Sequence, residues 1–332
     1  MNGRRRSFLA ASVSSGVGVL AAGLSGVPNA ASAATGKFGT QAAGVPTAAA
    51  GAMPNFRYCL NTGTIRGQEL GIEEEIRITA QAGYHGIEPW VRSIAAYVEK
   101  GGKLSDLRKL ISDSGITVDS AIAFSQWISE DPEKRRKGLE DARRDMDMLR
   151  EIGGTRIAAP PAGATEDPKL DLFVVAERYR ALLEIGDQIG VVPQLEVWGF
   201  SKNLSRLGET VMACTEADHP KSCILPDVYH IFKGGSGFGG LQLLSDAAMH
   251  VFHMNDYPAS PSRQEMTDAH RVYPGDGVAP LTRILQMIGT PGSSCTLSLE
   301  LFNRDYWKQP ALDVAKTGLQ KMKDSVAAAF PV

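Results

Sequence analysis

Between Phe56 and Val326 a short apolar run is followed, eight times over, by a longer stretch with helical spacing. No other feature of the chain constrains its fold as strongly. The strand-like runs are FRYCLNT, HGIEPW, ITVDSAIAF, TRIAAP, VVPQLEV, KSCILPD, MHVFHMND and CTLSLELF. Between them, GIEEEIRITAQAGY carries Ile72, Ile76 and Ala80 at helical spacing. PEKRRKGLEDARRDMDMLREIG sets Leu139, Met146 and Leu149 on one face before a glycine stop. Further helices are expected over 93–114, broken at Gly101-Gly102, over 170–190, near 203–217, near 239–247, near 278–289 and over 311–326. Strands separated by helices pair in parallel, and eight such units close most simply into a (β/α)8 TIM barrel, an α/β fold. An open doubly wound sheet is the competing arrangement, but no GxGxxG follows the first strand. The 332 residues exceed what one barrel needs, and 43% hydrophobic with 22% charged residues is an ordinary globular mixture.

The surplus lies at the N-terminus. RRRSFLA precedes the apolar run ASVSSGVGVLAAGL and the small-residue pattern ASAA, so residues 1–33 are expected to form a twin-arginine-type signal peptide. The run is too short and too rich in Gly and Ser to span a bilayer well. Cleavage near Ala33, with no lasting membrane insertion, is therefore expected. Residues 34–53 read as a flexible linker and 54–332 as the barrel. Export, for instance to the periplasm, follows from this reading. Removing Arg4, Arg5 and Arg6 with the leader takes the formal net charge from −2 to −5. Such a balance lacks the basic footprint of a nucleic-acid binder. Cys59, Cys223 and Cys295 lie in apolar runs and Cys214 has no CxxC partner, which points to buried thiols rather than a disulfide framework.

Function in a parallel barrel sits at the C-terminal ends of the strands. The fifth to eighth runs each place one metal-competent side chain there: Glu196 in QLEVWG, Asp227 in ILPDVYH, His253 in HVFHMND and Glu300 in LSLELFN. Consecutive strands are neighbours, so the four groups can converge. One glutamate at a strand end is as readily a salt-bridge partner. Four in register, with no lysine or arginine among those strand-end residues, call for a shared cation, because an unpaired buried carboxylate costs several kcal/mol. Three oxygen ligands and one imidazole suit Mn2+, Mg2+ or Co2+, with Zn2+ less diagnostic. Glu88 in GIEPW is a candidate for a sugar hydroxyl or for a brace at the barrel mouth. Trp90, Trp127, Trp198 and Trp307 are candidate platforms for sugar C–H faces, Trp198 foremost because it lies two residues beyond a proposed ligand. KGGSGFGG at 233–240 lacks the ending of a P-loop and is expected to be a mobile loop over the site.

Taken in order, GYHGIEPW, LEVWG, LPDVYH, HMND, RVYPGDG and LSLELFN resemble the xylose isomerase-like TIM barrel family of sugar isomerases and epimerases, over about Phe56 to Val326. The resemblance implies that Glu196, Asp227, His253 and Glu300 bind one divalent metal ion and that Glu196 and Glu300 also act as acid and base. It implies that His230, three residues after Asp227, binds substrate hydroxyls, and that Arg271, before a Pro-Gly turn, binds a substrate oxygen. The segment 256–270 is longer than its counterpart in the simple ketose epimerases, and this departure weakens any carry-over of their substrate range.

The expected function is a divalent-metal-dependent sugar isomerase or epimerase working through an enediolate. The same intermediate can lose a β-substituent, so a lyase acting on an oxidised (3-keto) glycoside is the alternative. A non-catalytic exported sugar-binding protein is the reading from another class, but it would not need two glutamates on one metal. The superfamily's apurinic endonuclease uses a three-zinc site rich in histidine. Of the six histidines here only His253, with His230 nearby, stands at a candidate metal position. The expected partner is therefore a small carbohydrate and not nucleic acid. A homo-oligomer is compatible with this reading.

Overall fold

The computed structural model describes residues 54–331 apart from Pro291. The expected signal peptide and linker lie outside the described residues. The strands are β1 (Asn55–Asn61), β2 (Gly86–Glu88), β3 (Thr117–Val118), β4 (Arg156–Ala159), β5 (Val192–Glu196), β6 (Ile224–Leu225), β7 (Val251–Met254) and β8 (Ser294–Leu299). All their pairings are parallel, in the orders β3-β2-β1-β8-β7 and β4-β5-β6. Two seams join these sheets into one barrel. Ala158 N donates to Ala121 O at 2.8 Å on one side; on the other, Ile224 N donates to Ala248 O at 2.8 Å and His253 N to Pro226 O at 2.9 Å.

Helices α1 (Ile72–Ala82), α2 (Val91–Glu99), α3 (Leu104–Asp113), α4 (Pro132–Glu151), α5 (Leu172–Ile189), α6 (Leu207–Glu216), α7 (Val228–Lys233), α8 (Leu281–Ile288) and α9 (Ala311–Ala329) connect the strands. None among the described residues is long and apolar enough to cross a membrane. Their apolar stripes, such as Met146 and Leu149 of α4 or Val314 and Leu319 of α9, bury against the barrel in one large core. A second cluster joins Ala158, Leu225 and Val251 with Trp90 and Ile122, residues so far apart around the barrel that they meet only through its interior. All four cysteines are buried free thiols, as their apolar surroundings imply.

The helices depart from expectation after β6. No α-helix spans 239–247; Phe238–Leu243 is a 3-10 turn, and the short α7 starts directly after the strand. Glycines 234, 235, 237, 239 and 240 remove helix propensity from the first stretch. Asp227 creates the second helix by capping it, its carboxylate accepting from His230 N at 2.7 Å.

Candidate metal centre

Each expected ligand stands at the C-terminal rim of its strand. Glu196 ends β5, Asp227 caps α7 just beyond β6, His253 lies within β7 and Glu300 follows β8. All four are at most 4% exposed. One ligand atom each from Glu196, His253 and Glu300 lie within 4.8 Å of one another. His253 Nδ1 is 3.2 Å from Glu300 Oε2 and 3.8 Å from both Glu196 Oε1 and Asp227 Oδ2. Asp227 stands just outside the triad because its carboxylate is heavily engaged. Besides capping α7, it accepts from Asn255 Nδ2 at 2.8 Å and from an Arg271 guanidinium nitrogen at 2.9 Å.

Two observations fit a divalent cation. Buried His253 Nδ1 has no hydrogen-bond partner although carboxylate oxygens surround it. Its other nitrogen, Nε2, is 3.0 Å from Glu88 Oε2, which assigns a ring proton to Nε2 and leaves Nδ1 as the nitrogen that faces the carboxylates. The proton affinities carry the same message. Burial, followed by the charges of Glu300 and Asp227, pushes Glu196 well above the ordinary carboxylate range against the pull of His253. Burial alone would lower the pKa of His253, but the carboxylates, Glu300 first, raise it well above the usual imidazole value. Burial also opposes ionisation of Glu300, yet His253 and Arg271 outweigh it and hold this acid far below its usual range. With no metal, protons on Glu196 and His253 balance the carboxylates; a divalent ion replaces those two positive charges.

Glu88 departs from its expected contact with substrate. It is fully buried and does not line the cavity. Its Oε2 accepts from Ser298 Oγ at 2.7 Å, Asn61 Nδ2 at 2.9 Å and His253. A β2 residue pointing inward at this depth lies beneath the ligands, where it orients the histidine. Arg271 is likewise fully buried, with ion pairs to Asp227 at 2.9 Å, Glu300 at 2.8 Å and Asp268 at 2.6 Å. It reaches His230 Nε2 at 2.9 Å and borders the cavity, so it braces the ligands as well as facing any bound molecule. His230 is also buried, and its Nδ1 lacks a partner.

The cavity holds about 510 Å³ above this cluster, and Glu196, Glu300, His230 and Arg271 all reach it. Trp198, Trp90 and Trp307 line it, as stacking platforms would. Trp127 does not: it is fully buried, its Nε1 donating to Pro160 O at 2.8 Å. KGGSGFGG is not a loop over the site either. Lys233 Nζ donates to the carbonyls of Arg263 and Gln264, each at 2.9 Å, and a Cβ on Gly234 would lie 1.7 Å from Ser205 O. None of these loop residues lines the cavity.

Asn61 went unrecognised in the sequence. Its Nδ2 donates to Glu88 and to Glu300 Oε1 at 3.1 Å, while its Oδ1 accepts from Trp90 Nε1 at 3.0 Å and Gly63 N at 2.8 Å. It ends β1, the same strand-end position that marked the ligands. Asn255, two residues beyond His253, reads in the sequence as ordinary loop polarity, yet it donates to Asp227.

A family model for the xylose isomerase-like TIM barrel matches residues 76–325. The 3-dehydroshikimate dehydratase of Pseudomonas putida is 22% identical over 252 residues, covering 76% of this chain but 39% of the dehydratase, so the chain spans well under half of that relative. The inosose isomerase of Bacillus velezensis is 23% identical over 280 residues, covering 82% of this chain and 98% of the isomerase. Among solved structures, the IOLI protein with a bound zinc atom superposes with a TM-score of 0.75 at 20% identity, over 83% of this chain and all of that one. With the barrel closed, the strand-end cluster in place and three quarters of its length matched, the chain belongs to the xylose isomerase-like TIM barrel family.

Proposed function

We propose that this protein is a divalent-metal-dependent sugar isomerase or epimerase in which Glu196 and Glu300 pass a proton to and from a carbon beside a carbonyl. One observation carries the proposal: the carboxylates of Glu196 and Glu300 both reach the cavity and both face His253 Nδ1. Two carboxylates that face one cavity can serve as acid and base. Glu300, paired with Arg271, and Glu196 are the two groups that would remove and return the proton. Glu196, His253 and Glu300 would hold the ion, with Asp227 as the fourth ligand, and Mn2+ suits this oxygen-rich set best, Mg2+, Co2+ and Zn2+ being the other candidates. A bound divalent ion supplies positive charge that stabilises enediolate oxygens. His230 and Arg271 face the cavity and would orient substrate oxygens, while Trp198 offers an apolar face.

The inosose isomerase relative supports the isomerase reading. The dehydratase relative supports a second reading, β-elimination from the same intermediate on an oxidised (3-keto) glycoside. Export to the periplasm, with a small carbohydrate as partner, completes the proposal. The test is NMR in D2O with metal-saturated protein and a panel of ketoses and keto-glycosides. Exchange of the C–H beside the carbonyl is expected, and Glu300→Gln should slow it by roughly 10²–10⁴-fold, the usual contribution of a general base. If Glu300→Gln and Glu196→Gln both keep near-wild-type exchange, the two-carboxylate mechanism is wrong. Loss of a substituent without C–H return would favour elimination.

A further inference from the structure

Arg66 lies in the 3-10 segment Thr62–Gln68 directly after β1 and lines the cavity. Its guanidinium carbon lies 4.8 Å from the ring centre of Trp90, 5.0 Å from that of Trp307 and 5.3 Å from that of Phe302. Two glycines let these rings close around it. A Cβ on Gly63 would lie 2.9 Å from Phe302 and 3.1 Å from Trp90, and one on Gly67 would lie 2.3 Å from Trp307. Contact with aromatic rings fixes the position of a guanidinium but satisfies none of its five N–H donors. Among the described residues no carboxylate pairs with Arg66. Of the acids that line the cavity, Glu300 and Asp268 are both committed to Arg271. The cage is also tied to the metal-binding cluster, because Trp90 holds Asn61, which holds Glu300. Arg304, exposed at the rim, adds a second positive charge to the same cavity. The cavity also has an apolar lining: Trp198 lies between Phe124 and Phe200, with ring centres 5.9 and 5.0 Å away.

We propose that the substrate carries a carboxylate and that Arg66 is the specificity-determining residue that pairs with it. The inference rests on the sugar-site reading above. A planar guanidinium held by its surroundings matches a carboxylate in a two-pronged pair, at little entropic cost because its position is already set. The polyol part then lies between the ligand cluster and the aromatic wall. A uronate or a cyclic polyol acid has this shape. A phosphate ester, with its greater charge, would need more than one fixed cation.

The test is calorimetric binding to Mn2+-loaded protein of matched pairs that differ in one group: D-glucuronate and D-glucose, D-galacturonate and D-galactose, quinate and myo-inositol, with D-glucose 6-phosphate as the phosphate arm. In at least one pair the acid should bind about tenfold to a hundredfold more tightly than its neutral partner, the range for one charge-assisted pair. Arg66→Gln should erase that preference while leaving the neutral partner's affinity and the bound Mn2+ unchanged, and Arg66→Lys should restore only part of it. Quenching or enhancement of tryptophan fluorescence by the acid should vanish in Arg66→Gln, since Trp90 and Trp307 form the cage. The inference is overturned if no acid binds, if acids and neutral partners bind alike, if the preference survives in Arg66→Gln, or if D-glucose 6-phosphate binds more tightly than every carboxylate. Failure of wild-type protein to take up Mn2+ would instead overturn the metal reading on which it rests.

Discussion

Replacing Glu88 by Gln separates a residue that orients a metal ligand from one that touches substrate. In the structure Glu88 Oε2 accepts from Asn61 at 2.9 Å, Ser298 at 2.7 Å and His253 at 3.0 Å, while Oε1 is buried with no partner. The Gln carbonyl must take the Oε2 position, because an amide NH2 there would face three donors. The NH2 then occupies the Oε1 position as an unsatisfied buried donor, at a cost of about 1–3 kcal/mol in stability. The contact to His253 survives but loses its charge, which makes Nδ1 a poorer ligand. Changes in such outer partners weaken metal binding by roughly 10–100-fold, or about 1.4–2.8 kcal/mol. Mn2+ titration by calorimetry should show that loss, and KM measured at saturating Mn2+ should stay near wild type. Unchanged Mn2+ affinity together with a raised KM at saturating metal would refute the reasoning and return Glu88 to the substrate.

Purified protein should bind one divalent ion per chain, and free metal at a hundred times its Kd should add about 2.7 kcal/mol of stability; a melting temperature that ignores Mn2+ and EDTA would contradict this. Glu75, on the buried side of α1, has its pKa raised by burial from the ordinary 4.5 to about 7. The folded state therefore holds that proton more tightly, and stability falls as pH rises from the lower value through the higher, by on the order of 3 kcal/mol. Glu75→Gln should accordingly be more stable than wild type at pH 8 and equal to it at pH 4 in urea unfolding, and a gain that is the same at both pH values would exclude this cause. Lys-Lys in place of Arg5-Arg6 should leave the precursor in the cytoplasm; export at the wild-type level would remove the twin-arginine reading.

The barrel and the convergence of Glu196, His253 and Glu300 at its rim were legible from the chain alone. Parallel strands buried on both faces read as apolar runs, helices read as stripes, and a charged residue such as Glu300 or Asp227 inside an apolar run stands out locally. Roles that depend on direction were settled only by the tertiary structure. Glu88 and Glu196 look alike as glutamates at strand ends, but the turn of each strand at the rim sends one beneath His253 and the other into the cavity. Trp127 and Trp198 look alike as loop tryptophans, yet one is sealed in the core and the other faces the site. Asn61 gained its place from partners 27 and 239 residues away, and Arg66 gained its cage from three rings on two other loops. Local spacing reports which face of an element is apolar, because burial acts residue by residue. It does not report which polar groups meet across a barrel, because that is fixed by closure of the strands and by the packing that closure enforces.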